Sequence, residues 1–285
     1  MSSVGFAIFT QKGFEELHRN FPEYREWIDT KAQVRGPKFL FDLQEVQPAE
    51  ISDGLYDTIF RQAYFHAHYM QQGNFLSVWH QLKKVLELPK SRVSEILEVG
   101  KGIGLLEALL ECYDYTVTTL DVEARYQPDV IGDILSLPWP DKTFDCVCCF
   151  EVLEHLPSFK TLSALKELTR VSRRYVYISL PCQRSSLHFN FSLRFRERGL
   201  RRFPINFNFF SSFPSFPLQD QNEAELLKRT DKHGPHYWEV GRKSYPKQKI
   251  KRLVSQAGLD VIEDFHNPHH PYHWFLLCEH TSSSN

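Results

Sequence analysis

Three glycines at alternate positions follow a short apolar run in the segment Glu98-Val-Gly-Lys-Gly-Ile-Gly104. Glycine lets the backbone turn sharply and approach a ligand without an intervening Cβ. If a helix begins after the third glycine, its free N–H groups favour a carboxylate or a phosphate at that end. The segment is therefore predicted to contact a ligand that carries such a group, although the glycines alone are also compatible with a simple turn.

The spacing of the glycines bears on which nucleotide-containing cofactor would bind. A dinucleotide-binding fold uses GxGxxG, and here Leu105 stands where the third glycine would be, so the spacing fits NAD poorly. Asp121 follows the next apolar run, where a carboxylate could accept two hydrogen bonds from ribose hydroxyls. An acid at this position could equally cap a helix.

Four ordered motifs resemble those of class I S-adenosylmethionine-dependent methyltransferases, including methyltransferase type 11 and the ubiquinone-biosynthesis methyltransferases. The glycine segment, with acidic Glu98 two residues before its first glycine, resembles motif I. Gly132 to Pro138 resembles the segment that faces adenine, and Phe144 to Leu156 resembles motif IV. Gln256 to Ile262 resembles the helix-to-strand turn before the closing antiparallel strands. The resemblance covers about Ser91 to Glu279.

This resemblance implies that S-adenosylmethionine is the cofactor. In the family, the glycine loop lies against the amino-acid part, the acid after the second strand meets the ribose, and the end of the fourth strand flanks cofactor and substrate. The implied cofactor-binding residues are Glu98, Gly100, Gly102, Gly104, Asp121, Val122, Asp133, Ile134, Phe150 and Glu151. Lys101 departs from the pattern, and we expect it either to point to solvent or to pair with an acid near the cofactor.

Methyl transfer is an in-line displacement at a sulfonium carbon, so the protein mainly aligns the reactants, excludes water and, for an oxygen nucleophile, removes a proton. His155 is predicted to lie next to the methyl group, and an imidazole with an ordinary pKa near 6.5 suits proton transfer. Glu151-Val-Leu-Glu-His155 resembles a segment of ubiquinone-biosynthesis O-methyltransferases, which implies a possible Mg²⁺ site at Glu151, Glu154 and His155. Many family members carry this segment without a metal, so a metal is not the favoured prediction.

The segment after the fifth strand commonly builds the substrate pocket of methyltransferases. His236 is therefore a second catalytic candidate, and Tyr237 and Glu239 are predicted to lie on the substrate side. The remaining histidines of interest have spacings that match no zinc motif, so they are interpreted as surface or packing residues. These are His66, His68, His269 and His270.

Apolar runs alternate with helical spacing from Ser91 to Pro181, which is typical of parallel βαβ units. Strands are predicted at Glu95 to Val99, Thr116 to Leu120, Val130 to Ile134, Phe144 to Phe150 and Tyr175 to Leu180, with helices at Ile103 to Glu111 and Thr161 to Val171. A helix at Lys247 to Ala257 and a hairpin of Asp260 to Phe265 with Tyr272 to Glu279 follow. The predicted fold is α/β: a Rossmann-like, seven-stranded, mostly parallel sheet with an antiparallel last strand.

Two regions differ in texture from this domain, which is predicted to span residues 91–285. Residues 1–90 are predicted to form a helical N-terminal cap that includes an amphipathic helix from Phe75 to Leu88. Residues 183–235 are predicted to form an insert, because nine phenylalanines and six arginines fall between Gln183 and Pro217. The favoured interpretation is a lid over an apolar pocket; the alternative is peripheral contact with an anionic membrane that presents a lipid-linked substrate.

Composition excludes several other classes of protein. A formal net charge of −1 provides no general attraction for nucleic acid. Because no apolar run approaches the roughly 20 residues that span a bilayer, and no leader pattern opens the chain, we expect a cytoplasmic protein. Six cysteines without a CxxC pair are interpreted as reduced structural thiols.

The predicted function is methyl transfer from S-adenosylmethionine to a small-molecule or lipid-linked acceptor, with a hydroxyl oxygen as the expected target. Two alternatives stay open at this point. One is an NAD(P)-dependent oxidoreductase on the same type of sheet, which Leu105 disfavours. The other is a catalytically silent methyltransferase-like domain that serves as a binding partner. The sequence does not indicate an oligomeric state.

Overall fold

A computed structural model describes residues 6–35, 38–43, 45–65, 67, 70–193, 205–214, 236–267 and 270–281. The helices are α1 (Gln11–Asn20), α2 (Arg25–Lys31), α3 (Asp53–Tyr64), α4 (Gln72–Glu87), α5 (Leu105–Glu111), α6 (Thr161–Val171) and α7 (Lys247–Gln256). The strands are β1 (Phe6–Thr10), β2 (Gln33–Arg35), β3 (Lys38–Asp42), β4 (Glu95–Val99), β5 (Thr116–Asp121), β6 (Val130–Ile131), β7 (Phe144–Phe150), β8 (Ser172–Pro181), β9 (Arg184–Leu193), β10 (Ile205–Pro214), β11 (Leu259–Asn267) and β12 (His270–His280).

A seven-stranded sheet with the order β11-β12-β8-β7-β4-β5-β6 forms the centre of the molecule. The pairs from β8 through β6 are parallel, whereas β12 is antiparallel to both of its neighbours. The predicted fold class is confirmed, including the antiparallel last strand. The carboxyl ends of the parallel strands β4, β5 and β7 consequently meet at one edge of the sheet, where ligands bind in folds of this type.

The sheet is covered on both faces, which explains why its central strands are almost wholly apolar. The four residues from Cys146 to Cys149 in β7 are fully buried. One cluster joins the sheet to Leu165 and Leu168 of α6 and to α7, and a second joins it to α4 and α5. All six cysteines are free thiols, and five of them are buried.

Most predicted boundaries agree with the structure to within two or three residues, but the third strand is shorter than predicted. β6 ends at Ile131, because Gly132 follows and the Asp133 carboxylate accepts a hydrogen bond of 2.9 Å from the Leu135 nitrogen. An Asp side chain that binds the backbone two residues on forms a turn and stops a strand. The helix predicted from Ile103 begins only at Leu105, after Gly104 in a left-handed conformation.

The N-terminal region differs from the predicted helical cap. Besides α1, α2 and α3 it contains an antiparallel sheet of order β1-β3-β2, and residues between Ala7 and Ala63 form a separate hydrophobic core. The strands were missed because they are five residues or fewer, and because β1 pairs with β3 across a long stretch of chain, a register that periodicity does not reveal. α4 packs instead on the central sheet, with Val78 and Val85 buried but Phe75 and Trp79 45% and 46% exposed.

The insert begins as a hairpin in which β9 and β10 pair antiparallel from Arg184 opposite Pro214 to Leu193 opposite Ile205. The rest of the predicted insert, residues 194–204 and 215–235, lies outside the described residues, as do His66, His68 and His269. Among the helices that the structure describes, none combines the length and the apolar character needed to cross a bilayer.

Candidate active site

The glycine loop connects β4 to α5, and all three of its glycines have a positive φ: 84° at Gly100, 54° at Gly102 and 76° at Gly104. Side chains other than glycine rarely adopt this conformation. A Cβ on Gly100 would also lie 2.3 Å from Cγ2 of Val152. The loop therefore requires glycine both for its backbone conformation and for its close approach to the segment after β7.

Asp121, at the end of β5, is tied to this loop. Its Oδ2 accepts a hydrogen bond of 3.1 Å from the backbone nitrogen of Gly102, and its Oδ1 accepts one of 2.9 Å from the nitrogen of Glu123. The carboxyl group is buried, and burial raises its pKa above the usual value. The predicted cofactor residue Val122 follows it and is 72% exposed. The ends of the first two parallel strands are thus joined by one side chain.

Lys101 does not point to solvent. Its Nζ lies 2.8 Å from Oε2 of Glu107 in α5 and donates a hydrogen bond of 2.9 Å to the carbonyl oxygen of Gln127. Of the two orientations expected for this lysine, the structure shows pairing with an acid. The cation connects the start of α5 to the loop after β5.

Glu98 is buried beneath the glycine loop. Its Oε2 makes no hydrogen bond within the described residues. Burial, together with the nearby acid Glu107, raises the pKa of Glu98 to about 8, although Lys101 acts in the opposite direction. At neutral pH this carboxyl group is mostly protonated, and a cation placed beside it would favour ionisation.

The residues predicted to face adenine lie next to Asp121. The nitrogen of Gly132 donates a hydrogen bond of 3.0 Å to the Asp121 carbonyl oxygen. Asp133 follows at the start of the turn described above, and Ile134 is buried in the core beneath it. The structure therefore brings these residues to the same edge of the sheet as the glycine loop.

Phe150 and Glu151 stand at the end of β7. Glu151 has a φ of 53°, a conformation that is costly for a residue other than glycine and that concentrates at functional sites. Its Oε1 accepts a hydrogen bond of 2.7 Å from Ser179, and its Oε2 lies 3.8 Å from Nε2 of His273. Burial raises the pKa of Glu151 to about 8. Phe150 packs edge-to-face on Tyr177, so the strand end is firmly supported.

A second group of polar residues lies beyond Glu151. One ligand-capable atom from each of Glu154, His155 and His236 lies within 4.8 Å of the other two. The imidazole rings of His155 and His236 are in edge contact, with 4.8 Å between their centroids. The Tyr237 nitrogen also donates a hydrogen bond of 2.8 Å to the Glu154 carbonyl oxygen. The structure thus joins the segment after β7 to the segment before α7.

Glu239 is buried at the centre of a hydrogen-bond network. It accepts hydrogen bonds from His236 Nδ1 at 3.0 Å, Tyr272 at 2.7 Å, Gln183 at 2.8 Å and Arg242 at 3.0 Å. Burial alone would raise the pKa of this carboxyl group, but these donors lower it to about 2. Glu239 is therefore an anion at neutral pH, and both of its oxygens are already engaged.

Several residues of the site carried no signal in the sequence. Tyr272 and His273 lie on β12, and Gln183 follows β8, so only the strand order brings them to His236 and Glu151. His273 Nδ1 lies 2.6 Å from the hydroxyl of Ser77 in α4. The histidine-rich composition of His269 to His273 was visible, but nothing local distinguished His273 from its neighbours.

Comparison with known proteins first concerns the family. A family model described as a methyltransferase domain matches residues 66–264. An uncharacterised protein of Methanocaldococcus jannaschii is 27% identical over 88 residues, which is 29% of this chain. The match spans 39% of that relative's length.

Among solved structures, one similar protein is magnesium protoporphyrin IX methyltransferase from Synechocystis PCC 6803 with bound SAH, which is 11% identical to this chain. The match covers 94% of this chain and 100% of that one, with a TM-score of 0.48. The 1,6-didemethyltoxoflavin-N1-methyltransferase of Burkholderia thailandensis, with bound 1,6-didemethyltoxoflavin and S-adenosylhomocysteine, is 12% identical. The match covers 83% of this chain and 92% of that one, with a TM-score of 0.45. Similarity at this level identifies no acceptor.

Proposed function

Because the chain belongs to the methyltransferase-domain family and has the class I sheet, we propose that it transfers the methyl group of S-adenosylmethionine to a hydroxyl oxygen of a small-molecule or lipid-linked acceptor. The family match supports the predicted methyltransferase class, and we propose S-adenosylmethionine as the cofactor. The NAD(P)-dependent alternative is thereby set aside. The acceptor, its reacting atom and the individual site residues are likewise proposed.

The observation that carries the cofactor site is the hydrogen bond of Gly102 to Asp121, which joins the two strand ends. The residues present fit the cofactor: three glycines keep side chains out of the loop, and Glu98 offers a buried carboxyl oxygen that has no hydrogen bond within the described part of the chain. When bound, the cofactor supplies an electrophilic methyl group on a sulfonium. Everything else is alignment, exclusion of water and proton transfer by this chain.

We assign the cofactor residues by the part of the ligand that each suits. Glu98 and the three glycines would meet the ammonium and carboxylate of the amino-acid part, and Asp121 would accept hydrogen bonds from the ribose. Asp133 and the Ile134 amide would face adenine. Val122, Phe150 and Glu151 complete the proposed set along the edge of the sheet.

On the acceptor side, His155 is the proposed proton acceptor, and His236 assists it through the contact between the two rings. Glu239 holds His236 through Nδ1. Because both oxygens of Glu239 are engaged, we infer that it acts on the acceptor through His236 rather than by touching it. Tyr237 is proposed to line the pocket, since its backbone is fixed to Glu154.

A hydroxyl acceptor is favoured because it must lose a proton to become a good nucleophile, and this corner of the site contains two imidazoles. The β9–β10 hairpin starts directly after Gln183, which itself binds Glu239, so the hairpin is attached at the acceptor side. We propose that the insert covers the acceptor. Contact with a membrane that presents a lipid-linked acceptor remains the alternative role.

The test uses the full chain, methyl-labelled S-adenosylmethionine and a panel of aryl and alkyl compounds in matched hydroxyl, amine and thiol forms. We expect labelled product and S-adenosylhomocysteine with hydroxyl members, and a His155→Asn variant with a lower kcat and an altered pH profile. Turnover confined to amines would contradict the hydroxyl assignment. If the protein binds the cofactor but methylates neither any compound of the panel nor any component of cell extracts, the result would favour a catalytically silent methyltransferase-like domain.

A further inference from the structure

We propose that Glu154, His155 and His236 form a binding site for a divalent transition-metal ion of the Zn²⁺ type, with Glu239 orienting one of the ligands. The inference deepens the proposed function. It rests on that function only in placing the acceptor next to Glu154, His155 and His236. Metal binding itself is independent of methyl transfer and is measured separately.

The three residues are brought together by backbone contacts as well as by side chains. The Tyr237 nitrogen binds the Glu154 carbonyl oxygen at 2.8 Å, and the Trp238 indole donates to the Leu156 carbonyl oxygen at 3.0 Å. Zn²⁺ binds nitrogen and oxygen ligands at about 2.0–2.2 Å, which sets the ligand atoms of a tetrahedral site about 3.3 Å apart. The ligand atoms now lie within 4.8 Å of one another, so side-chain rotations would have to bring them about 1.5 Å closer to bind the ion.

Glu154 is the second, independent observation. Its side chain is fully buried, and neither carboxylate oxygen makes a hydrogen bond within the described residues. A buried carboxyl group without partners is costly, whereas a cation would satisfy both oxygens and stabilise the anion.

The hydrogen bond of 3.0 Å between His236 Nδ1 and Glu239 is the third observation. Metal-binding histidines commonly donate their second ring N–H to a carboxylate, which fixes the tautomer and the ring orientation. In the tautomer in which Nδ1 donates to Glu239, Nε2 of His236 carries the lone pair that a metal needs. Tyr272, Gln183 and Arg242 hold Glu239 in place for this task.

This residue set differs from the Mg²⁺ site implied by the resemblance. Glu151 belongs to that implied set, but its carboxylate binds Ser179 and faces His273. In its place stands His236, from a segment far along the chain. Two imidazoles and one carboxylate favour zinc-like ions, whereas Mg²⁺ favours oxygen ligands and retains water.

Three protein ligands leave one tetrahedral position open, as in catalytic zinc sites. An acceptor oxygen in that position would have its pKa lowered by the ion. A coordinated His155 would then be a ligand and no longer a proton acceptor. The metal-loaded and metal-free proteins are therefore expected to differ in the pH dependence of methyl transfer.

The experiment uses the full chain without an affinity tag, freed of metal with a chelator, and titrated with Co²⁺ and then Zn²⁺. Visible absorption bands of bound Co²⁺ report the coordination, and calorimetry reports the stoichiometry and Kd. We expect one equivalent of Co²⁺ with a micromolar or lower Kd, displacement by Zn²⁺, and an increase in Tm with the ion. Glu154→Gln and His236→Gln should weaken binding at least about 100-fold, and Glu239→Gln about 10- to 100-fold.

His280→Gln serves as the matched control, because it removes a half-buried histidine outside the group and should leave Co²⁺ affinity unchanged. Metal-free thermal melting of each variant shows whether it is folded. Wild-type protein without a stoichiometric site, or folded Glu154→Gln and His236→Gln variants with unchanged affinity, would overturn the inference. Calorimetry with S-adenosylmethionine on the same samples distinguishes this outcome from failure of the cofactor site.

Discussion

The backbone nitrogen of Gly102 donates a hydrogen bond of 3.1 Å to Oδ2 of Asp121, so the loop after β4 is held by the carboxylate at the end of β5. The same carboxylate is proposed to bind the ribose. Asp121 thus supports the glycine loop and, under this proposal, would also contact the ligand that the loop approaches. Its substitution should affect both the stability of the loop and the affinity for S-adenosylmethionine.

We expect Asp121→Ala to lower the free energy of unfolding by about 1–3 kcal/mol, because two partly buried N–H groups lose their acceptor. S-adenosylmethionine affinity should fall at least about 10-fold. Asp129→Ala is the matched control, since Asp129 accepts comparable bonds from the Thr119 nitrogen and hydroxyl nearby. In urea unfolding, Asp129→Ala should lower the free energy of unfolding by a similar amount but leave the affinity for S-adenosylmethionine unchanged. Equal losses of affinity in both variants would contradict the assignment of Asp121 to the cofactor site.

The steric requirement at Gly100 predicts a partial rescue. Gly100→Ala should destabilise the protein by roughly 1–3 kcal/mol, because its Cβ would lie 2.3 Å from Val152 at a φ of 84°. Adding Val152→Ala should restore only the steric part, which a double-mutant cycle in urea measures. Gly54→Ala in α3, whose Cβ would make ordinary contact with Phe21 at 3.5 Å, should be neutral or stabilising. Strictly additive losses at Gly100 and Val152 would refute the clash.

The raised pKa of Glu98 predicts a pH dependence of stability. The unfolded chain ionises this carboxyl group near pH 4.5, but the folded chain does so only near pH 8. Above pH 4.5 the unfolded state therefore binds fewer protons, and stability falls as pH rises towards about 8. One such group contributes on the order of 2–4 kcal/mol to this fall.

Urea unfolding at pH 5 and pH 8 measures this effect. Glu98→Gln should remove a large part of the fall, and Glu111→Gln, at an exposed position of α5, should not. An identical pH dependence in wild type and Glu98→Gln would mean that Glu98 is ionised in the folded protein at neutral pH.

Glu239 predicts the opposite dependence in acid. Its pKa is lowered to about 2 in the folded protein, so its contribution to stability is fully present above about pH 4.5 and is lost as pH falls towards 2. Tyr272→Phe removes one hydrogen-bond donor to Glu239, so part of the acid-induced loss of stability should occur at higher pH. The variant should also lower the free energy of unfolding at pH 7 by about 1 kcal/mol. Acid unfolding followed by tryptophan fluorescence checks this expectation. A Tyr272→Phe transition at the wild-type pH would show that Tyr272 does not stabilise the anion.

Local patterns in the sequence predicted which residues meet at the sheet edge proposed for the cofactor, because these residues lie at or near strand ends. Glu98 is the penultimate residue of β4 and Asp121 the last residue of β5, and the glycines follow β4 at fixed spacing. At the side proposed for the acceptor, the sequence singled out His155, His236 and Glu239. It did not reveal two partners of Glu239, Tyr272 and Gln183, which come from other parts of the chain. The order of the strands in the sheet brings those partners together, and the periodicity of apolar residues in the sequence does not reveal that order.

Two local features were also misread for physical reasons. The turn that begins at Gly132 and Asp133 ends β6 after two residues, although the apolar run continues to Ile134, which is buried from the turn instead. In α4, Phe75 and Trp79 extend the apolar stripe beyond the width that packs on the sheet. An apolar pattern predicts which residues can be buried, and the neighbouring elements decide which of them are.

The most direct test of the cofactor site is calorimetry of S-adenosylmethionine with wild type, Gly102→Arg and Lys101→Arg. Lys101→Arg is the control in the same loop, since its side chain is directed to Glu107. We predict micromolar binding to wild type and Lys101→Arg, roughly −8 kcal/mol, and no measurable binding to a folded Gly102→Arg. Equal affinity in all three proteins would contradict the claim that this loop and Asp121 hold the cofactor.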